Sequence, residues 1–252
     1  ADTLDYRLAF VVMAASVLAA LPPVLWQTTP SLATAESAAP ARPFANPLRV
    51  FGYHRYMGRA FLISSLILLA KDMYVAYFPL FAHGLGLTAT TIGAIVAVHN
   101  GGGVIVRLFQ LPMLRRLGKN PAVIGSVLVS GALFWLLPLT SDTGLLMALS
   151  LMLGIGLGVG QPLSLSTVMS LAPQDRLGEV LGVRLTCNRL TQVLTPLAFG
   201  GIVLVTGVGG TFWVIGAILC LFGLRLHVPE DAAMRDPGLA AGPPSAASRR
   251  SP

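Results

Sequence analysis

Charge is scarce in this sequence: Asp, Glu, Lys and Arg make up 11% of its 252 residues, against 54% apolar types. A water-soluble domain needs more polar surface than this to stay dispersed, so a soluble globular fold is excluded. Cysteine is scarcer still. Cys187 and Cys220 are the only two and both fall in apolar runs, which excludes a disulfide framework and leaves packing as their expected role. The four histidines are scattered. No nucleophile–base pair or metal cluster converges near a membrane face, so enzymatic chemistry, a metal and a cofactor are not expected.

What the chain has is seven apolar stretches long enough to cross a bilayer: Arg7–Trp26, Arg59–Phe81, Thr88–Leu111, Pro121–Leu139, Gly144–Ser170, Gly178–Val205 and Gly210–Leu226. About twenty residues at roughly 1.5 Å each match a hydrocarbon layer of about 30 Å. The basic residues crowd into every second connection. Arg42, Arg49, Arg55 and Arg59 follow the first span, Arg115, Arg116 and Lys119 the third, Arg176 and Arg184 flank the gap after the fifth, and Arg225, Arg235, Arg249 and Arg250 follow the seventh. The other connections contain no Lys or Arg. The basic side is therefore expected to be cytoplasmic, with the N-terminus outside and the C-terminus inside a plasma or inner membrane. The net charge of +7 sits at helix ends rather than in a stripe that could follow phosphates, so nucleic acid is not an expected partner.

Leu8–Trp26 lacks a basic leader, and its cleavage would leave Arg42–Arg59 outside, so it is read as a true span. The absence of an initiating Met suggests a start inside a longer chain. From 27 to 57 a linker is expected, rich in Ala, Ser, Thr and Pro up to Pro47 and too polar to fold alone. Its end, Leu48–Tyr56, mixes aromatic and basic residues, as an interfacial anchor or a simple topology-fixing flank would. The tail 229–252 is expected to be disordered.

The six spans between 58 and 228 form two triplets with one order of midplane polarity. Lys71 and Asp72, then His99 and Asn100, are followed by a span with only weakly polar groups; Gln161, then Asn188 and Gln192, are followed by another. Helices with costly polar groups should face one another or a wet cavity, leaving the third of each triplet free to face lipid. A triplet repeated with odd span number inserts upside down the second time, the inverted-repeat construction of secondary transporters. The expected fold is an all-α polytopic transmembrane bundle.

Several segments resemble the major facilitator superfamily, specifically its C-terminal six-helix half preceded by the last helix of the N-terminal half. Arg115-Arg116-Leu117-Gly118-Lys119 is similar to the degenerate second copy of that family's G-x-L-A-D-R-x-G-R-K motif, with Arg115 in place of the acid and Leu111 in place of the first glycine. Arg176-Leu177-Gly178 is similar to the matching loop before the penultimate helix. Thr195-Pro196-Leu-Ala-Phe-Gly200-Gly201 resembles the G-P-x-x-G-G antiporter motif, with Thr for its first Gly. The resemblance implies a missing N-terminal half, a cytoplasmic gate at Arg115, Arg116, Gly118, Lys119, Arg176 and Gly178, and a small-molecule substrate moved by alternating access.

Among the polar residues, Lys71 and Asp72 lie about 18 Å along their helix from Arg59, near the bilayer centre. Ionisable groups there line transport paths or pair with neighbouring helices. Lys71 shares a face with Tyr74, Phe78 and Phe81, which reads as a cavity wall. Asp72 shares one with Val75, Ala76 and Pro79, which reads as a close helix contact. The expectation is that Lys71 meets substrate or a carboxylate of the other half and that Asp72 carries a coupling proton; the alternative is a buried structural pair. His99 is a proton relay or a neighbour's hydrogen-bond partner, and Asn100 precedes Gly101–Gly103, which serve local unwinding or packing. Gln161, Asn188 and Gln192 serve the cavity or interhelical bonds. Gly154, Gly156, Gly158 and Gly160 form two interleaved small-xxx-small pairs before Pro162, a packing signal with a proline bend. Pro196, Gly200 and Gly201 are likewise assigned to packing. Arg107, Arg184 and Arg189 are expected to snorkel as anchors or gate contacts. The expected function is proton-coupled efflux of a small organic solute, with uptake of a metabolite, or a non-transporting membrane receptor module, as alternatives.

Overall fold

The computed structural model describes residues 47–225; of the separate unit 1–44, only isolated helical positions between 10 and 22 are described. The expected first span, most of the linker and the tail lie outside the described residues, as do the side chains of Arg115, Arg116 and Lys119.

A short 3-10 helix, Pro47–Gly52, leads into α1 (Met57–Gly84), followed by α2 (Ala89–Leu117), α3 (Lys119–Leu136) with a 3-10 turn at its end, and α4 (Thr143–Leu171). The last helical stretch, Leu177–Arg225, breaks at Gly207 (φ 71°, ψ 175°), giving α5 (177–206) and α6 (208–225). Only glycine adopts that backbone without strain, and the four-residue connection expected there shrinks to this one residue. Two other helix starts are fixed by side-chain caps. The Thr88 hydroxyl accepts from the Thr91 N–H at the start of α2, and Asp142 Oδ1 accepts from the Leu145 N–H, 2.7 Å away, at the start of α4, satisfying donors that a helix start leaves open. Gly118, at φ 79°, turns α2 into α3.

All the long helices have the length and hydropathy of membrane spans. They pair as two triplets. α2 lies against α4, with the His99 ring N–H donating to the Ser150 carbonyl, and α1 lies against α5, with the Ser64 hydroxyl donating to Asn188 Oδ1. α3 meets α4 where Gly156 approaches Ser130, and α1 meets α6 through the Phe81 and Phe212 rings. Exchanging each helix for its counterpart in the other triplet preserves this pairing, as the inverted-repeat expectation requires.

α3 and α6 pack on each other. A Cβ at Gly131 would lie 3.1 Å from the Gly216 carbonyl oxygen, and one at Gly216 would lie 2.7 Å from that of Gly131. Nearby, the Trp135 indole N–H donates to the Trp213 carbonyl and the Trp213 indole N–H to the Trp135 carbonyl, at 2.9 and 3.2 Å. Both rings are half exposed, the amphipathic placement that suits tryptophan at a membrane interface. Exposed apolar side chains are not confined to these third helices. Val104, Ile105, Leu108 and Phe109 of α2 and Leu190, Val193, Leu194 and Leu197 of α5 are also exposed.

The two interleaved glycine pairs of α4 serve three neighbours. Gly154 and Gly158 face α2, where a Cβ at Gly158 would come within 2.6 Å of Gly103 Cα; Gly156 faces α3, and Gly160 meets Ile67 of α1. Gly102 packs with them, 2.8 Å from the Leu151 carbonyl oxygen by the same measure. α2 therefore stays helical through Gly101–Gly103, and packing rather than unwinding explains those residues. Gly200 and Gly201 differ: a Cβ at either meets nothing within 4 Å among the described residues, so the expected packing there is not made within this bundle. α5 continues through Pro196, whose lost N–H bond the helix tolerates.

The segment before α1 is docked rather than free. Val50 is fully buried, His54 nearly so, and Phe51 sets its edge on Phe61. A three-way knot ties it to the start of α5. Arg176 Nη1 donates to the Tyr53 hydroxyl (3.0 Å), which donates to Glu179 Oε2 (3.1 Å), and Arg176 pairs with Glu179 at 3.2 Å. The hydrogen bond to Tyr53 first, then the Glu179 carboxylate, hold the Arg176 guanidinium above its usual pKa.

Gly158→Val should overpack the α2–α4 crossing, at a cost of about 1–3 kcal/mol, and lower the melting temperature of the detergent-solubilised protein by several degrees. Gly93→Ala, where a Cβ meets open space, should leave it unchanged or slightly raised. Tyr53→Phe removes one shared hydroxyl, worth about 1 kcal/mol, and should speed hydrogen exchange at the backbone amides of residues 50–56 while those of α4 stay protected.

Candidate functional site

The α2–α4 crossing creates the site. α2 presents Asn100, Gly103, Val104 and Arg107 along one face, and α4 presents Gly154, Leu157, Gly158 and Gln161; all line a cavity of about 160 Å³. Both sets are spaced i, i+3, i+4, i+7, the repeat of one helical face. The helices run side by side in the same direction, Gly102 by Leu151 and Gly103 by Gly158, so the two faces meet in register. Their glycines bring the backbones close and leave room beside the crossing that larger residues would fill. Lys71 of α1 and His99 of α2 complete the lining.

Two cationic side chains, Lys71 and Arg107, thus share a cavity with the amides of Asn100 and Gln161 and a histidine, and among the described residues no Asp or Glu lines it. The Asn100 side-chain N–H is tied back to the Val96 carbonyl, which leaves its amide oxygen as the acceptor. His99 is held on two sides. Its Nδ1–H donates to the Ser150 carbonyl at 3.1 Å, and its ring stacks on Tyr74 with centroids 4.0 Å apart. Nε2 is then the nitrogen left to meet a ligand. No three His, Cys, Asp or Glu side chains converge as a metal site among the described residues.

Several expected site residues lie elsewhere. Tyr74 and Phe78 do not wall the cavity: both are fully buried, stacked on each other at 4.8 Å behind His99. α1 has neighbours on two sides, and its aromatic face is taken up by the packing between them, while Phe81 sets its edge on Phe212. The Asp72 face makes no close helix contact among the described residues, since Val75 and Ala76 are exposed. Asn188 is bonded to Ser64, and Gln192 accepts from Arg189, so neither reaches the cavity. Arg107, expected near a helix end as an anchor or gate contact, lines the cavity. Gly178 has open space where a Cβ would be, whereas Arg176 is held in the Tyr53–Glu179 knot. Ser150, Tyr53 and Glu179 carried no sequence signal of their own, apart from the i, i+3 spacing of Arg176 and Glu179.

The Major Facilitator Superfamily model matches residues 1–196 and again residues 60–251. The 4-hydroxybenzoate transporter PcaK of Pseudomonas putida is 26% identical over 189 residues, which cover 71% of this chain and 41% of the relative. The chain therefore spans about two fifths of the length of the curated relative it matches. An integral membrane bundle of apolar helices around a polar cavity, matched from end to end by that family's model, this chain belongs to the Major Facilitator Superfamily of membrane transporters.

Proposed function

We propose that this bundle is one half of a secondary transporter that moves a small organic anion together with protons, rocking against a second half to open alternately on either side of the membrane. The observation that carries this reading is the cavity wall: Lys71 and Arg107 with the amides of Asn100 and Gln161, and no acid among the lining residues. A carboxylate placed there gains charge-assisted hydrogen bonds that a neutral or cationic solute cannot make. A pocket for a whole drug-sized ligand spans about 300–1,000 Å³, so a cavity of about 160 Å³ fits one wall of a site shared with the other half. The name of the relative makes an aromatic hydroxy acid the first solute to test.

Proton coupling follows from the charge of the solute. Carrying a lone monoanion into a cell against 100 mV costs about 2.3 kcal/mol, and one proton carried with it cancels that cost. The cavity thus favours uptake by symport. Asp72 is the candidate proton carrier: it neighbours Lys71 in sequence and has no hydrogen-bond or ion-pair partner among the described residues. Efflux by exchange is the second reading, supported by the likeness of Thr195–Gly201 to the antiporter motif. In either case the ends carrying Arg176 and Arg225 are cytoplasmic, in keeping with the bias of basic residues.

The full-length gene product in proteoliposomes should accumulate labelled 4-hydroxybenzoate under an inward pH gradient, and the uncharged 4-hydroxybenzamide should not compete. Lys71→Gln should raise KM about 10- to 100-fold, the equivalent of a charged hydrogen bond of roughly 1.5–3 kcal/mol; an unchanged KM would place the solute elsewhere. Asp72→Asn should abolish the response to the pH gradient while counterflow persists, and retained pH-driven transport would remove Asp72 from the proton path.

A further inference from the structure

A third cation lies one helical turn beyond the cavity. Gln161 lines the cavity, and Ser164, three residues on and therefore on the same face of α4, donates its hydroxyl to the Gln161 carbonyl at 2.8 Å. Arg184 of α5 reaches the same hydroxyl, with Nη2 3.4 Å from Ser164 Oγ. Among the described residues this long bond to a neutral group is all that the guanidinium finds. Its Nε is buried with no partner, and among the described residues no carboxylate lies within ion-pair distance of it. A half-buried guanidinium left in this state is costly, and an anion would relieve that cost.

The three cations descend in steps. Measured from the helix ends on the side where α1 and α5 begin and α2 and α4 finish, Lys71 lies about 21 Å in, Arg107 and Gln161 about 15 Å, and Arg184 and Ser164 about 10 Å, at 1.5 Å per residue. An arginine anchoring the bundle to headgroups would extend towards the near membrane surface; this one turns sideways onto α4.

We propose that Arg184, held against α4 by Ser164, forms a second anion site, one turn of α4 beyond the cavity, which takes the substrate carboxylate as it passes between Lys71–Arg107 and the side where α5 begins. The site rests on the organic-anion reading above and adds a station to it. The solute is handed from Lys71 and Arg107 to the Arg184 guanidinium, which Ser164 positions, so that no single site holds it tightly enough to slow its release.

The test is a comparison of the two membrane faces in proteoliposomes of the full-length protein, with 4-hydroxybenzoate as probe. Arg184→Gln should raise KM at least tenfold for substrate offered on the face where α5 begins and leave KM on the opposite face within twofold. Arg184→Lys should restore most of the loss, and Ser164→Ala should give a smaller shift on the same face. Equal changes on both faces would mark Arg184 as a structural contact, and no change on either would remove it from the path; each result overturns the proposal. If the unmodified protein does not distinguish 4-hydroxybenzoate from 4-hydroxybenzamide, the organic-anion reading itself fails, independently of Arg184.

Discussion

Everything about the cavity depends on the close approach of two helix backbones. Lipid is as apolar as leucine, so helices in a bilayer gain little by burying apolar side chains against each other and associate instead through close van der Waals packing. Gly102, Gly103, Gly154 and Gly158 supply that packing between α2 and α4. The crossing fixes which faces meet, aligns Arg107 with Gln161, and sets His99 where Ser150 and Tyr74 lock its ring. The polar groups can be held in place within an apolar solvent because no side chain stands between the two backbones.

The bundle treats its polar residues in two ways. Ser64 bonds Asn188 between α1 and α5, and Arg189 bonds Gln192 within α5, which lowers the cost of polar atoms away from water. Lys71, Arg107 and Arg184 are left without carboxylate partners among the described residues. A chain selected only for stability would pair or replace such cations, since unpaired charge is the most expensive thing to keep in a membrane. Their placement in one sector, at graded depth, is the observation on which the proposed passage for anions rests.

The described spans were legible in the sequence because they depend on local properties: runs poor in charge and the small-xxx-small spacing of Gly154 and Gly158. The placement of Tyr74 and Phe78 was not. Periodicity shows that they share a face with Lys71, but not that α2 would cover that face and leave Lys71 at its open edge. That Arg107 lines the same cavity as Gln161 depends on how α2 meets α4, which the sequence of either helix does not give. The Tyr53 knot joins residues more than 120 positions apart, beyond the reach of any local pattern.

The single-residue corner at Gly207 bears on how the protein enters its membrane. α5 carries Arg184, Asn188, Arg189 and Gln192, each of which lowers the tendency of a lone segment to leave the translocation channel for lipid. α6 has no charged residue until Arg225. With one residue between them there is no loop to be threaded separately, so the two segments partition as a single hairpin. The apolar second arm then offsets the cost of bringing the polar first arm into the bilayer.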